Sequence, residues 1–148
     1  MEIKTIEDCF RFRLLRNIKP DSEKAKKSIE LAERDIREAK KAFDVEKDFL
    51  YKFVIMYSYL SMFHSARAVL YKDGIQEKSH YAIFIYLKEK YSSVVPLAVL
   101  NLLNIHRIER HEAMYGLEYE PDREETSRAL KDAIVFVEEM KKRISFQY

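Results

Sequence analysis

The chain has 148 residues, the length of a single domain, and 47% of them are hydrophobic against 35% charged, which excludes a disordered or collagen-like polymer. Two glycines and three prolines are too few for the tight turns of an all-β fold or the phosphate loops of a dinucleotide-binding α/β fold. Lysine and arginine number 27 against 25 acids, so the net charge of +2 does not by itself announce nucleic acid, and no DNA partner is expected. The lone cysteine, Cys9, allows neither an internal disulfide nor a cysteine zinc site, and the first twenty residues hold no apolar run; both suit a cytoplasmic protein. The most hydrophobic stretch without a charge, Phe53 to Phe63, is too short to span a bilayer.

Residues 1–19 predict only a short helix near Ile6–Leu14. Pro20 to Phe43 predicts an amphipathic helix capped by Asp21 or Ser22, with Glu23 near its positive end. Ala25, Ile29, Ala32, Ile36, Ala39 and Phe43 recur at alternating spacings of four and three, a narrow seam of small residues that lets a neighbour approach closely. Asp48 to Asp73 predicts a helix that is apolar nearly all round, hence central in the fold or covered by a partner, and Gly74 stands where a left-handed residue ends it. Ser79 caps a shorter helix over His80–Tyr91, and Ser92-Ser93 breaks it. Pro96 opens a fourth helix running to Tyr115, with Gly116 as its stop. Pro121-Asp122 opens the last, with Asp122, Glu124 and Glu125 at its start, Lys141, Lys142 and Arg143 near its end, and a buried stripe of Leu130, Ile134, Val137, Met140 and Ile144. No segment reads as a strand, and no repeat or linker divides the chain. The expectation is one all-α domain over residues 1–148, an up-and-down antiparallel bundle of about five helices.

Candidate chemistry gathers on two helices. Arg107, His111 and Tyr115 are four apart and share one helical face, with Arg110 beside it. Two guanidiniums about one turn apart suit a phosphate, because each can donate a bidentate pair of hydrogen bonds. The competing reading pairs Arg107 and Arg110 with Glu109, Glu112 or acids of the last helix. His64 and Arg67 are neighbours within the apolar helix, and a desolvated arginine there needs either a ligand phosphate or a glutamate from elsewhere in the chain. His80 follows a serine whose capping role needs no ligand. No carboxylate pair stands out from the acidic background, and no His-Glu-x-x-His, Walker loop or glycine-flanked serine is present. His106 and His111 are five apart and point differently, so no metal or other cofactor is expected.

The run from Tyr59 to Leu70 (Tyr-Leu-Ser-Met-Phe-His-Ser-Ala-Arg-Ala-Val-Leu), followed by Gly74-Ile75 and Glu77-Lys78-Ser79-His80, resembles the HEPN domain family in its small stand-alone prokaryotic branch. Leu60 and Ser61 depart from that branch's tyrosine and alanine. Asp21-x-x-Lys24-Ala25 with Ala32-Glu33-Arg34-Asp35 is similar to its first helix, and Arg107-x-x-Arg110-x-x-Ala113-x-Tyr115-Gly116 to its fourth, so the likeness spans nearly the whole chain. The resemblance implies a helical bundle, usually a homodimer, often paired with a small nucleotidyltransferase in a toxin–antitoxin-like system. Many members are metal-independent ribonucleases bearing Arg-x4-6-His, whose arginine holds the scissile phosphate while the histidine moves a proton. Here Arg110 takes the arginine position, and after four intervening residues the next position is Tyr115. Tyrosine ionises near pH 10, against about 6.5 for histidine, and is a poor base at neutral pH. His111 is the nearest substitute.

Three functions follow as expectations. The first is a nucleotide- or RNA-binding module, catalytically weak or inactive, that holds phosphate with Arg107 and Arg110 and with His64, Arg67 and His80 around the same interhelix cleft. The second is a metal-independent endoribonuclease toxin using Arg110 with His111 or Tyr115. The third is a purely structural subunit of a heterocomplex.

Overall fold

A computed structural model describes residues 2–145. Helix α1 (Ile6–Arg11) starts with a reciprocal cap, Thr5 accepting from the Asp8 amide while the Asp8 carboxylate accepts from the Thr5 amide. It stops earlier than expected because Arg13 takes a left-handed conformation (φ 60°), turning the chain into β1 (Leu15–Asn17). Helix α2 (Ser22–Asp44) follows, capped by Asp21, whose side chain accepts from the Lys24 amide at 3.0 Å. Its seam of Ala25, Ile29, Ala32 and Ala39 is buried as expected, and Ser28 and Asp35 are buried with it.

A single 3-10 turn (Asp48–Leu50) leads into α3 (Tyr51–Asp73), which packs against α2, α5 (Leu97–Tyr115) and α6 (Arg123–Ile144). Tyr59, Met62, Ala66, Val69 and Leu70 are buried on its different sides, so the helix without a polar face is the centre of the bundle. Only its entrance departs from this, with Phe49 and Phe53 facing solvent. The last helix is capped by Asp122, which accepts from the Glu125 amide at 2.8 Å. Its other end is held by Lys72, whose ammonium donates to the Arg143 carbonyl at 2.6 Å. No helix among the described residues is long and apolar enough to cross a membrane.

The bundle carries a feature that the expectation of no strand excluded. Residues Leu15–Asn17 pair antiparallel with β2 (Ile75–Glu77) in the register Leu15–Glu77, Arg16–Gln76 and Asn17–Ile75. Strands of three residues are too short to show an alternating pattern, and their pairing was set by the chain ends that α2 and α3 bring together. Gly74 makes the junction. Its φ of 79° is left-handed, its amide closes the end of α3, and its carbonyl accepts from the Ile18 amide at 2.9 Å. A Cβ there would lie 2.8 Å from the Ile18 carbonyl oxygen. Gly116 ends α5 at the expected residue but in extended backbone (φ −71°, ψ 126°). Its lack of a side chain matters for room, because a Cβ would sit 2.6 Å from the Glu112 carbonyl.

The ribbon also sets the start of α4 (His80–Tyr91). Lys78 donates its amide to Leu14, one residue before β1, and Ser79 then caps the helix by accepting from the Ala82 amide at 3.3 Å. His80 is thereby fixed at the first position of α4, beside the middle of α3.

Candidate phosphate-binding site

Tyr59, Phe63 and Arg67 stand four apart on α3 and present one face toward the start of α4. His80 docks on that face. Its ring stacks on Phe63 with centroids 4.1 Å apart and planes at 16°, and its Nδ1 meets the Tyr59 hydroxyl at 2.8 Å. Arg110, from α5, lays its guanidinium 5.9 Å from the centre of the Tyr59 ring. Arg107 lies 5.4 Å from the Tyr81 ring and donates from Nε to the side-chain oxygen Oδ1 of Asn104 at 3.0 Å. Arg67 is held between the Phe63 and Tyr71 rings, at 5.3 and 5.4 Å. Guanidiniums on aromatic faces keep their charge while their edges stay free to donate.

Four of the five residues expected to hold phosphate, Arg67, His80, Arg107 and Arg110, therefore come together, and the electrostatics of His80 records it. Burial pushes its imidazole down first, and Arg110, Arg107, Arg67 and His64 push it further, to about 4. His80 is neutral at pH 7. His64 is also lowered, by burial and then by Arg67 and Arg34.

The carboxylate partners differ from those the spacing suggested. Arg67 donates from Nε to Glu77 on β2 at 2.7 Å, so the glutamate comes from the ribbon. His64 turns to the other side, its Nε2 standing 3.7 Å from Asp35 of α2, too far for a hydrogen bond. Burial raises Asp35 to about 6 against the pull of Arg34. Neither Arg107 nor Arg110 makes an ion pair with Glu109, Glu112 or α6 among the described residues. Glu109 and Asp132 are engaged instead by His106, which is 4% exposed and approaches them at 3.5 and 2.9 Å. Burial alone would lower His106, but the two acids beside it raise it.

His111 packs its ring on Tyr115 (centroids 4.9 Å) at the exposed end of α5, and is not among the charges acting on His80. It thus shares a helix with Arg110 but not the stacked cluster. The cluster itself forms a half-buried shelf at the meeting of α3, α4 and α5. A concavity of about 760 Å³ lies elsewhere, lined by Phe49, Lys52, Pro121 and Arg123 among others, and none of the expected site residues borders it. Sequence reasoning missed Tyr59, Tyr71 and Tyr81 as seats for the arginines. The spacing of Tyr59, Phe63 and Arg67 was the signal available for two of the ring contacts.

An all-α bundle built round one apolar helix, with its cations gathered beside that helix, agrees with a match to the HEPN domain over residues 25–144; the chain belongs to the HEPN family. All the shelf residues fall inside the matched span, while α1 and β1 precede it. The chain is similar to a UPF0332 protein of Archaeoglobus fulgidus, with 30% identity over 119 residues that cover 79% of this chain and 92% of the relative.

Proposed function

We propose that this HEPN module binds the phosphate of a nucleotide or of RNA on the shelf of Arg67, His80, Arg107 and Arg110, with His64 beside it. In this reading it is catalytically weak or inactive and acts as a homodimer with a small nucleotidyltransferase in a toxin–antitoxin-type system. The observation that carries the binding role is the pair Arg107 and Arg110: both are seated on tyrosine rings beside a neutral histidine, and no carboxylate among the described residues occupies either. Two like charges held close together without a carboxylate are unfavourable unless something offsets them, and a phosphate does so with charge-assisted hydrogen bonds. Calorimetry with 5′-AMP and with an oligouridylate tests the reading. Arg110→Ala should weaken binding roughly 10- to 150-fold, the range for a hydrogen bond to a charged group. Absence of binding by the wild-type protein, or equal binding by the variant, refutes it. Co-purification with a co-expressed nucleotidyltransferase of the same operon tests the partnership.

A second reading rests on the exposed His111–Tyr115 pair that follows Arg110 on α5. There Arg110 would hold the scissile phosphate of RNA while His111 or Tyr115 moves a proton, leaving a 2′,3′-cyclic phosphate without metal. Cleavage in excess EDTA that disappears in Arg110→Ala and in His111→Ala would establish it; cleavage surviving both changes would exclude it.

A further inference from the structure

Tyr59 is 1% exposed, and its hydroxyl makes a single hydrogen bond among the described residues, the one to His80 Nδ1. Two arrangements of the shared proton are conceivable. Were His80 to donate from Nδ1, the phenol's own hydrogen would be left buried with no acceptor, a costly state. With the phenol donating, both groups are satisfied. The phenol is also firmly protonated, because burial raises it far above its ordinary range, so its hydrogen is always available to donate. Nδ1 must then be the bare nitrogen of a neutral ring, and the remaining proton resides on Nε2. Nε2 has no hydrogen-bond partner among the described residues and is not among the buried unpaired atoms.

We infer that Tyr59 is the positioning residue of the shelf: its hydroxyl fixes His80 as the Nε2–H tautomer, a neutral donor for a phosphate oxygen, while its ring seats Arg110. The inference rests on the phosphate-binding reading and deepens it. The stack of His80 on Phe63 fixes the plane of the imidazole, the Tyr59 bond fixes which edge faces inward, and Arg110 meets the same phenol from α5. One buried side chain thus aligns donors from two other helices. It also restricts the chemistry, since a protonated Nε2 can donate to an anion but cannot take a proton from an attacking hydroxyl.

Tyr59→Phe deletes the hydroxyl and keeps the ring under Arg110. Long-range nitrogen–proton NMR of the imidazoles, with His80 assigned through a His80→Gln variant, reads the tautomer directly at pH 7. The expected wild-type spectrum shows a protonated Nε2 and a bare Nδ1, and Tyr59→Phe should show a mixture of tautomers. Affinity for 5′-AMP should fall roughly 2- to 12-fold in the variant, the range for one neutral hydrogen bond. A proton on Nδ1 in the wild type overturns the inference, and that spectrum decides the matter even if the variant fails to fold. A variant that folds but changes only the tautomer, only the affinity, or neither, overturns it too. Failure of the wild type to bind either 5′-AMP or oligouridylate instead removes the phosphate-binding reading, and the donor role with it.

Discussion

Replacing Gly74 by alanine perturbs the junction between α3 and the ribbon in two separable ways. An L-residue with a side chain at φ 79° loses about 1–2 kcal/mol relative to glycine. The added Cβ would also stand 2.8 Å from the Ile18 carbonyl oxygen, a backbone atom that cannot swing aside like the tip of a side chain. Relief requires the Ile18 segment to retreat, which stretches the bond from the Ile18 amide to the Gly74 carbonyl, now 2.9 Å, at a further cost of about 0.5–1.5 kcal/mol. Gly74→Ala should therefore destabilise the fold by about 1.5–3.5 kcal/mol, or lower Tm by about 3–14 °C for a domain of this size. Urea unfolding followed by far-ultraviolet circular dichroism measures it, with an unchanged slope as the control for two-state behaviour. Gly74→Asn separates the two causes, because asparagine tolerates the left-handed region while keeping the Cβ; its loss should be smaller but not zero. A Gly74→Ala protein within about 0.5 kcal/mol of wild type would refute the account of this junction.

Acid–base behaviour gives two further tests. His106 is raised in the folded state by Glu109 and Asp132, so its contribution to stability is fully present below the unfolded value near 6.5 and is lost as pH rises through the folded value; the stability gap between wild type and His106→Asn should narrow in alkaline urea titrations. Asp35 has the opposite linkage to an ordinary carboxylate: raised to about 6, it costs stability as pH climbs from about 4 to 6, and Asp35→Asn should be more stable than wild type at pH 7 by up to about 2–3 kcal/mol, with the advantage gone at pH 4. Removing the cap of α4 by Ser79→Ala should cost about 1 kcal/mol in thermal or urea unfolding.

The helices were readable because their ends are chemically marked. Asp21, Ser79 and Asp122 each cap the helix expected of them, and the contrast between the one-sided α2 and the all-round apolar α3 identified the central element. Local spacing could say less about partners that are remote in the chain. Glu77 meets Arg67 only because the ribbon folds it back, and His64 finds Asp35 across the α2–α3 seam. Spacing placed Arg107 and Arg110 near Glu109, but the helix rotates that acid toward His106, leaving the arginines to tyrosine rings on α3 and α4. The gathering of Arg67, His80, Arg107 and Arg110 was suggested by residue type, and their seats came from packing, which turned His64 toward Asp35 instead.

The ribbon has a consequence for the order of events in folding. Arg16 and Gln76 pair across 60 positions of chain, and closing a flexible loop of that length costs about 3–4 kcal/mol in entropy, more than so short a ladder returns. The α2–α3 hairpin removes that cost by bringing the two ends together through its own apolar seam, so the ribbon zips after the hairpin has closed. Substitutions at Arg16 or Gln76 should accordingly accelerate unfolding and leave the folding rate nearly unchanged in stopped-flow measurements. His80 reaches Tyr59 only once that zipper is shut, which makes the arginine shelf one of the last parts of the molecule to exist as the chain folds, and among the first to disperse when it opens.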